Sequence, residues 1–512
     1  MTRAFRAVLF GMLLLLSTSL LQSTIAMAEE AGGLVPNPTI GLKAMRVRGS
    51  TIAPDLTAAL QPLIGRPSSE STLRQAAAAL DRAYGASDIA IYTITLDRLA
   101  DDGVLEVGVV EGHVEGFQFE GKARAGADRR VRRIAEKLRG EGPLHKGELQ
   151  RALRLIGDIS GAKVEADMIA GRQPGGLILR FRIDSAPPRL SLSFDNNGNG
   201  TLGRAQATAS ASMGSLLTGG DRVDMLYTRS ISGRGEAWGA TYAMPIGFDG
   251  LQAGLSAVRG SSVEPIFGLR GRSLNFSASL SYPLHIGPAT LFSATASFDA
   301  QQSDIYYGDL QLITERSRVA RATVNWTRSG PRSRAAAALS IARTLDLPGA
   351  QATILLTDKD FTKLRLSAAY HRLLTQNLVL RLGMTAQYSA DALSSVESLA
   401  LGGTEYGRGF EPAVLTADKG IAGSAELAWS PTVGKAGRQV ELYTYVDGAR
   451  ATYNERLISY ATSFSLASSG GGIRVKDGPM NVDLSANRVV HDPYAGFGDR
   501  WRLTIGVTLN WP

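Results

Sequence analysis

The eleven residues before the C-terminal proline read Trp501-Arg502-Leu503-Thr504-Ile505-Gly506-Val507-Thr508-Leu509-Asn510-Trp511. In an extended chain successive side chains point to opposite faces, so both tryptophans and all the aliphatic residues fall on one face. Arg502, Thr504, Gly506, Thr508 and Asn510 fall on the other. One face suits hydrocarbon and the other suits water. The same period of two recurs upstream, where Leu378, Leu380, Leu382, Met384, Ala386 and Tyr388 alternate with Val379, Arg381, Gly383, Thr385 and Gln387. Met480, Val482, Leu484 and Ala486 likewise alternate with Asn481, Asp483, Ser485 and Asn487. Only a helix or a closed barrel satisfies its backbone hydrogen bonds within a bilayer, and no stretch after residue 28 is apolar enough for a spanning helix. The pattern predicts a membrane β-barrel. A soluble β-sandwich rarely keeps charges on one face and apolar side chains on the other through so many strands.

From Arg189 onward the alternation parses into sixteen strands, near 189–195, 204–213, 221–230, 235–246, 251–259, 273–284, 290–300 and 317–328, then 333–344, 363–374, 377–389, 420–430, 439–450, 469–477, 480–490 and 500–511. Outer-membrane barrels alternate short periplasmic turns with longer external loops. Here the even-to-odd connections are mostly short, as at Gly247 to Gly250, Ser329 to Arg332 and Asp477 to Pro479. The odd-to-even connections are expected to be long at Gln301 to Arg316, Thr344 to Thr362, Ala390 to Lys419 and Ala451 to Ser468. That parity puts both ends of the barrel in the periplasm.

The N-terminus carries Arg3 and Arg6, an apolar run from Ala7 to Leu21, and Ala26-Met27-Ala28 ahead of Glu29 and Glu30, which reads as a secretory signal peptide over residues 1–28. The formal charge of +8 becomes +6 when those two arginines leave, because residues 1–28 hold no acid. The 55 basic and 47 acidic residues are spread along the chain, unlike the clustered basic face of a nucleic-acid binder. With no cysteine, disulfides and thiolate chemistry are excluded. The five histidines, His113, His145, His285, His371 and His491, lack the close spacing of a metal site. There is no G-x-S-x-G elbow and no P-loop, so no enzyme activity, cofactor or metal is assigned. Gly198, Gly200 and Gly203 spell G-x-G-x-x-G, but Ala205, Ala207, Ala209 and Ala211 then alternate with Gln206, Thr208, Ser210 and Ser212, which is a strand where a dinucleotide fold needs a helix. These glycines read as an external hairpin loop.

Between residues 41 and 186 the pattern changes. Leu73, Ala77, Leu80 and Tyr84 recur at helical spacing with Gly85 as a plausible stop, and Leu149, Leu153 and Ile156 repeat that spacing. Met45 and Val47 before Gly49 match Phe117 and Phe119 before Gly121, and Leu105, Val107 and Val109 match Leu177, Leu179, Phe181 and Ile183. Gly49 to Gly121 and Leu105 to Leu177 are both separations of 72 residues. Equal offsets indicate a tandem pair of small α+β modules, at 41–112 and 113–186, after a short segment 29–40. Pro187 and Pro188 mark the boundary to the barrel at 187–512.

The most distinctive segment, Tyr406-Gly407-Arg408-Gly409-Phe410, sits in the connection 390–419. A connection that long is usually functional or disordered, and its plainest reading is a glycine-rich external loop with an incidental arginine. A second feature weighs against that reading. Glu441, Tyr443, Tyr445 and Asp447 share one face of their strand, opposite Val440, Leu442, Thr444 and Val446, which points Asp447 into the lumen. A partly desolvated carboxylate favours a guanidinium partner, which an inward-folding loop supplies as Arg408.

Together these residues resemble the two-partner secretion transporters of the Omp85 superfamily, also called haemolysin secretion and activation proteins. In that family two periplasmic POTRA modules precede a 16-stranded antiparallel barrel, and the sixth external loop enters the lumen with an R-G-[YF] tip. Arg408, Gly409 and Phe410 are similar to that tip, with Gly407 where an aliphatic residue often stands. Tyr445, Asp447 and Gly448 look like the family's wall motif, and Leu149 to Ala162 looks like its second POTRA helix and turn. The resemblance implies an outer-membrane transporter that exports a large haemolysin- or adhesin-type partner without nucleotide hydrolysis. It also implies recognition of that partner by the modules, outer-membrane lipids as surroundings, and periplasmic chaperones and the barrel assembly machinery during biogenesis. A relative that inserts other barrels is the alternative, although such relatives usually carry more modules. Some members carry a plug helix ahead of the first module. Only about a dozen residues separate Ala28 from Gly41, too few at about 1.5 Å per residue to span the lumen and return, so no long plug helix is expected.

Overall fold

A computed structural model of the chain describes residues 37–353, 356–431, 438–494 and 501–511. The signal peptide, and any plug helix following it, fall on residues 1–36, outside the described residues. The contacts separate two compact units between Ser185 and Ala186.

The first unit runs β1 (Asn37–Gly41), β2 (Ala44–Arg48), α1 (Ala53–Leu60), β3 (Pro67–Ser68), α2 (Glu70–Ala86), β4 (Tyr92–Leu99) and β5 (Val104–Glu111), followed by β6 (His113–Glu120), α3 (Ala125–Glu136), α4 (Lys146–Gly157), β7 (Ala162–Ala170) and β8 (Gly176–Ser185). Two three-stranded sheets result, ordered β2-β5-β4 and β6-β8-β7. In each, the first strand lies parallel to the last, with Val47 opposite Val107 and Phe119 opposite Phe181. The middle strand in sequence closes the other side antiparallel. The inward residues of β5 meet one stripe of the helices, so Leu56, Leu60, Leu73, Leu80, Tyr84, Leu105 and Val107 form one buried core. Helix α2 starts where the Ser69 hydroxyl accepts from the Thr72 amide at 3.3 Å. It runs through Gly85 to Ala86, one residue past the expected stop, because Ser87 in extended geometry ends it and its amide bonds the Ala83 carbonyl.

The tandem offset has a backbone cause. Gly49 and Gly121 have φ of +78° and +100°, and a Cβ on either would lie 2.2 Å from the Val109 carbonyl oxygen or 2.3 Å from that of Ile183. In both repeats the turn after the first strand presses on the partner strand, and only glycine fits.

The second unit is one closed barrel. Its strands are β9 (Arg189–Asp195), β10 (Gln206–Gly214), β11 (Arg222–Ser230), β12 (Gly235–Ile246), β13 (Leu251–Glu264), β14 (Leu269–Ile286), β15 (Thr290–Tyr307), β16 (Leu310–Ser329), β17 (Ser333–Thr344), β18 (Thr362–Leu373) and β19 (Leu378–Tyr388). A two-stranded hairpin, β20 (Leu399–Leu401) and β21 (Leu415–Ala417), interrupts the series before β22 (Lys419–Trp429), β23 (Arg438–Tyr453), β24 (Thr462–Asp477), β25 (Met480–His491) and β26 (Trp501–Trp511). All neighbours are antiparallel, and β26 closes on β9 with Val507 opposite Phe194 and Trp511 opposite Leu190. An even number of strands puts the start of β9 and the end of β26 on one rim, here the terminal rim. Outward side chains such as Leu255, Leu274, Val446 and Leu503 stay exposed, as a lipid-facing wall requires. Among the described residues no helix is long and apolar enough to cross a membrane.

Of the connections expected to be long, one is a tight turn and another is shorter than expected. The segment 301–316 is not a loop: β15 and β16 stay paired up to Tyr307 opposite Leu310, with Gln302 opposite Arg316. Similarly β23 and β24 pair out to Tyr453 opposite Thr462, which shortens the connection 451–468. Beyond the lipid both faces of a ladder are polar, so the alternation vanishes while the backbone pairing continues.

Replacing Gly121 with alanine should lower the stability of the N-terminal unit by more than about 1 kcal/mol. The readout is the denaturant midpoint for protease cleavage within residues 113–185 of the full chain. Gly140→Ala, where a Cβ meets nothing within 4 Å, should leave that midpoint in place.

Candidate functional site

The connection from β19 to β22 is held inside the barrel at three levels. At its base the Asp418 carboxylate takes both ends of the Arg456 guanidinium, at 2.6 and 2.9 Å, and the amides of Leu393 at 2.8 Å and Asn454 at 2.7 Å. Both charged side chains are almost fully enclosed, at 1% and 0% exposure. A second anchor is Glu397, which accepts from Arg321 of β16 at 2.9 Å, from Gln301 of β15 at 2.7 Å, and from the Lys363 ammonium of β18. Between these anchors and the tip, Leu399, Leu401, Phe410 and Ala417 pack on Ala422, Ala451, Phe464 and Leu466 of the wall. The incoming loop thereby exchanges water for an apolar bed.

At the tip the expected residues meet. The Arg408 amide donates to Asp447 Oδ2 at 3.2 Å, and the Gly409 amide donates to Ser468 Oγ at 3.0 Å. Ser468 in turn donates to Asp447 Oδ1. The guanidinium takes a different first partner from the one its sequence suggests. Arg408 Nη1 bonds Glu426 Oε2 at 2.7 Å, whereas its Nε stands 3.7 Å from Asp447. Its Cζ also lies 4.2 Å from the centroid of the Tyr445 ring. Asp447 therefore grips mainly the backbone of the tip, and Glu426 takes the charge. Phe410 is buried at 4% exposure, and its carbonyl accepts from Arg502 of β26.

The glycines of the motif are sites of close approach. Gly407 has φ of +78° with Leu466 Cδ1 2.9 Å from where its Cβ would stand, and at Gly409 a Cβ would meet Ser468, Arg488 and Val489 at 3.0 to 3.1 Å. Gly448 faces the Leu466 carbonyl oxygen at 3.1 Å in the same construction.

Sequence reasoning did not assign Glu426 a role. It is the hub of the wall, accepting from Arg381 at 2.8 Å, Arg408 at 2.7 Å and Arg474 at 2.7 Å. Arg381 and Arg474 also share Glu441, at 2.5 and 2.8 Å. Arg474 reaches Asp483 at 3.2 Å, and Asp483 accepts from the Tyr443 hydroxyl at 2.8 Å. The register explains the cluster, because Arg381, Glu426 and Tyr445 lie directly opposite one another on adjacent strands. The available signal was charge at water-facing positions of several strands, which becomes a constellation only once the register is known. The loop Gly198 to Gly203 also joins the site. Glu411, just past the tip, accepts from the Gly200 amide at 2.8 Å and from Arg204 at 3.0 Å.

Residues 178–475 match the family described as haemolysin secretion/activation protein ShlB/FhaC/HecB. The haemolysin transporter protein ShlB of Serratia marcescens is 25% identical over 422 residues, covering 77% of this chain and 73% of that one. The outer membrane transporter CdiB of Dickeya dadantii is 24% identical over 433 residues, covering 80% and 71%. Among solved structures, CdiB from Escherichia coli superposes with a TM-score of 0.77 at 18% identity, over 98% of this chain and 95% of that one.

Glu426→Gln keeps the shape of the hub but leaves three guanidiniums around a neutral amide. It should destabilise the barrel by about 3–5 kcal/mol, the usual cost of breaking a buried pair from one side. The temperature at which the folded band is lost on a heat-modifiability gel should drop accordingly. Glu441→Gln, at a site with only two arginines, should move it less.

Proposed function

The chain belongs to the haemolysin secretion/activation family of outer-membrane two-partner secretion transporters, and we propose that it moves its exoprotein, unfolded, through a barrel whose passage is set by the loop 390–419. Its place is the outer membrane of a Gram-negative bacterium, with the N-terminal modules in the periplasm and the terminal rim of the barrel on that side.

The modules at 41–112 and 113–186 capture the partner before export. Support comes from the sheet of the second module: β6 and β7 flank β8, and among the described residues each has one side free of a strand partner. An extended segment adds to such an edge through its backbone groups. On β6, Phe117 and Phe119 offer an apolar surface beside α3, with Arg132 4.3 Å above Phe119 and Arg139 5.2 Å from Phe117. Strand addition there would pack alternate partner side chains against these rings. Export is then driven by folding of the partner at the cell surface.

The observation that carries the role of the loop is its tip: Arg408, on a long connection between two wall strands, is engaged with Glu426, Asp447 and Tyr445 of the wall. Gly407, Arg408, Gly409 and Phe410 on the loop, with Tyr445, Asp447 and Gly448 on the wall, hold the conformation that admits a polypeptide. In an Arg408→Ala strain, exoprotein in the medium should fall about tenfold or more while folded barrel in the outer membrane stays within about twofold, since Glu426 keeps Arg381 and Arg474 as partners when Arg408 is removed. Equal loss of both would assign the pair to stability alone, and unchanged secretion at normal abundance would remove its role.

A further inference from the structure

The outward face of the barrel changes character toward the rim opposite the chain ends. On β13, Leu251, Ala253, Leu255 and Ala257 are followed at the next outward position by Arg259. At a rise of about 3.3 Å per residue and a tilt of about 45°, Arg259 stands roughly 19 Å above Leu251 along the barrel axis, near the far side of an apolar band about 25 Å tall. The same succession ends other outward rows in a cation: Arg272 on β14, Arg318 on β16, Arg343 on β17, Lys419 on β22 and Arg450 on β23.

These cations come in neighbouring pairs. Arg259 is opposite Leu274, which makes Arg272 its diagonal neighbour. Ile421 is opposite Arg450, which makes Lys419 a diagonal neighbour of Arg450, and Ala320 opposite Arg343 brings Arg318 into the same relation. Diagonal side chains across an antiparallel pair stand about 7–8 Å apart, where like charges repel unless an anion lies between them. Among the described residues, Glu236 and Asp304 stand at outward strand positions near these cations. Glu236 is opposite Arg229 and accepts from the Ser261 hydroxyl. Asp304 is opposite Arg272 but is turned to Gln302, Gln311 and Thr314. Asp346 and Asp360 share a cavity with Arg343. Among the described residues Arg259, Lys419 and Arg450 make no ion pair. Aromatic residues typical of a membrane interface stand beside the collar, with Trp238 opposite Arg259 and the Arg488 guanidinium 5.7 Å from the Trp501 ring.

We propose that this collar binds the phosphate groups of a phosphorylated glycolipid in the outer leaflet, with Arg259/Arg272 and Lys419/Arg450 each bridging one phosphate. The guanidinium fork matches a phosphate in two parallel hydrogen bonds, and the apolar rows beneath the collar accept the acyl chains. The occupant is a lipid because the cations sit at the end of a lipid-facing row. It belongs to the outer leaflet because these pairs lie at the rim away from the periplasm.

The test uses the full chain, purified in non-ionic detergent and stripped of lipid, with bis-phosphorylated lipid A as the probe. Folding of each variant is verified by heat-modifiable migration. The quadruple variant Arg259→Gln, Arg272→Gln, Lys419→Gln, Arg450→Gln should bind the probe at least about tenfold more weakly. Arg328→Gln with Arg372→Gln, outward arginines at the terminal rim, should bind as the unaltered chain does. Dephosphorylated lipid A should bind the unaltered chain as weakly as the phosphorylated probe binds the quadruple variant. Undiminished affinity in the quadruple variant, equal affinity for the dephosphorylated lipid, or equal affinity for phosphatidylglycerol would each overturn the assignment.

Discussion

The barrel is organised around a carboxylate that needs three cations. Glu426 is buried at 4% exposure, and a charge taken that far from water is tolerable only when its partners are close and well oriented. Arg381 and Arg474 come from the wall, and Arg408 comes from the loop. The dependence runs both ways. Arg408, carried inward, meets its desolvation through Glu426 and the Tyr445 ring, while Asp447 is spared for the backbone amide beside it. Two acids thus divide one residue between them, one taking charge and one taking position.

Absent side chains make this possible. On β24 a Cβ at Gly470 would stand 2.9 Å from the Tyr445 ring, and one at Gly472 would stand 2.7 Å from the Tyr443 hydroxyl. Both tyrosines therefore lie flat against the neighbouring strand and present their faces to arginines, with Arg474 3.7 Å above Tyr443. The glycines let the rings lie down, the rings support the guanidiniums, and the guanidiniums hold the acids.

The periplasmic unit has its own coupling. Lys146, at the start of α4 in the second repeat, donates to the carbonyls of Tyr84, Gly85 and Ser87 at 3.1, 2.8 and 2.7 Å, at the end of α2 in the first repeat. A cation at a helix C-terminus satisfies carbonyls that have no partner within the helix and complements its dipole. Together with the bond from the Ala90 amide to the Leu144 carbonyl, this joins the repeats through directional contacts rather than a bare linker.

Most of the architecture was legible in the chain. The period of two marked the strands wherever one face met lipid, as between Leu378 and Tyr388, and failed in 301–316, where neither face does. The offset of 72 residues marked the repeats because Gly49 and Gly121 answer the same close approach. Arg408 and Asp447 were readable from the length of the loop and the parity of the strand, and Gly409 and Phe410 from the resemblance of their segment to a family tip motif. Glu426 was not, since a glutamate at a water-facing position looks like any other until its strand is set beside Arg381. The amino-acid order by itself determined which residues face oil and which face water, because alternation is a property of one strand. Which charges meet was decided only by the tertiary structure, because register, closure and the return of a loop through the lumen bring together residues that no local pattern connects.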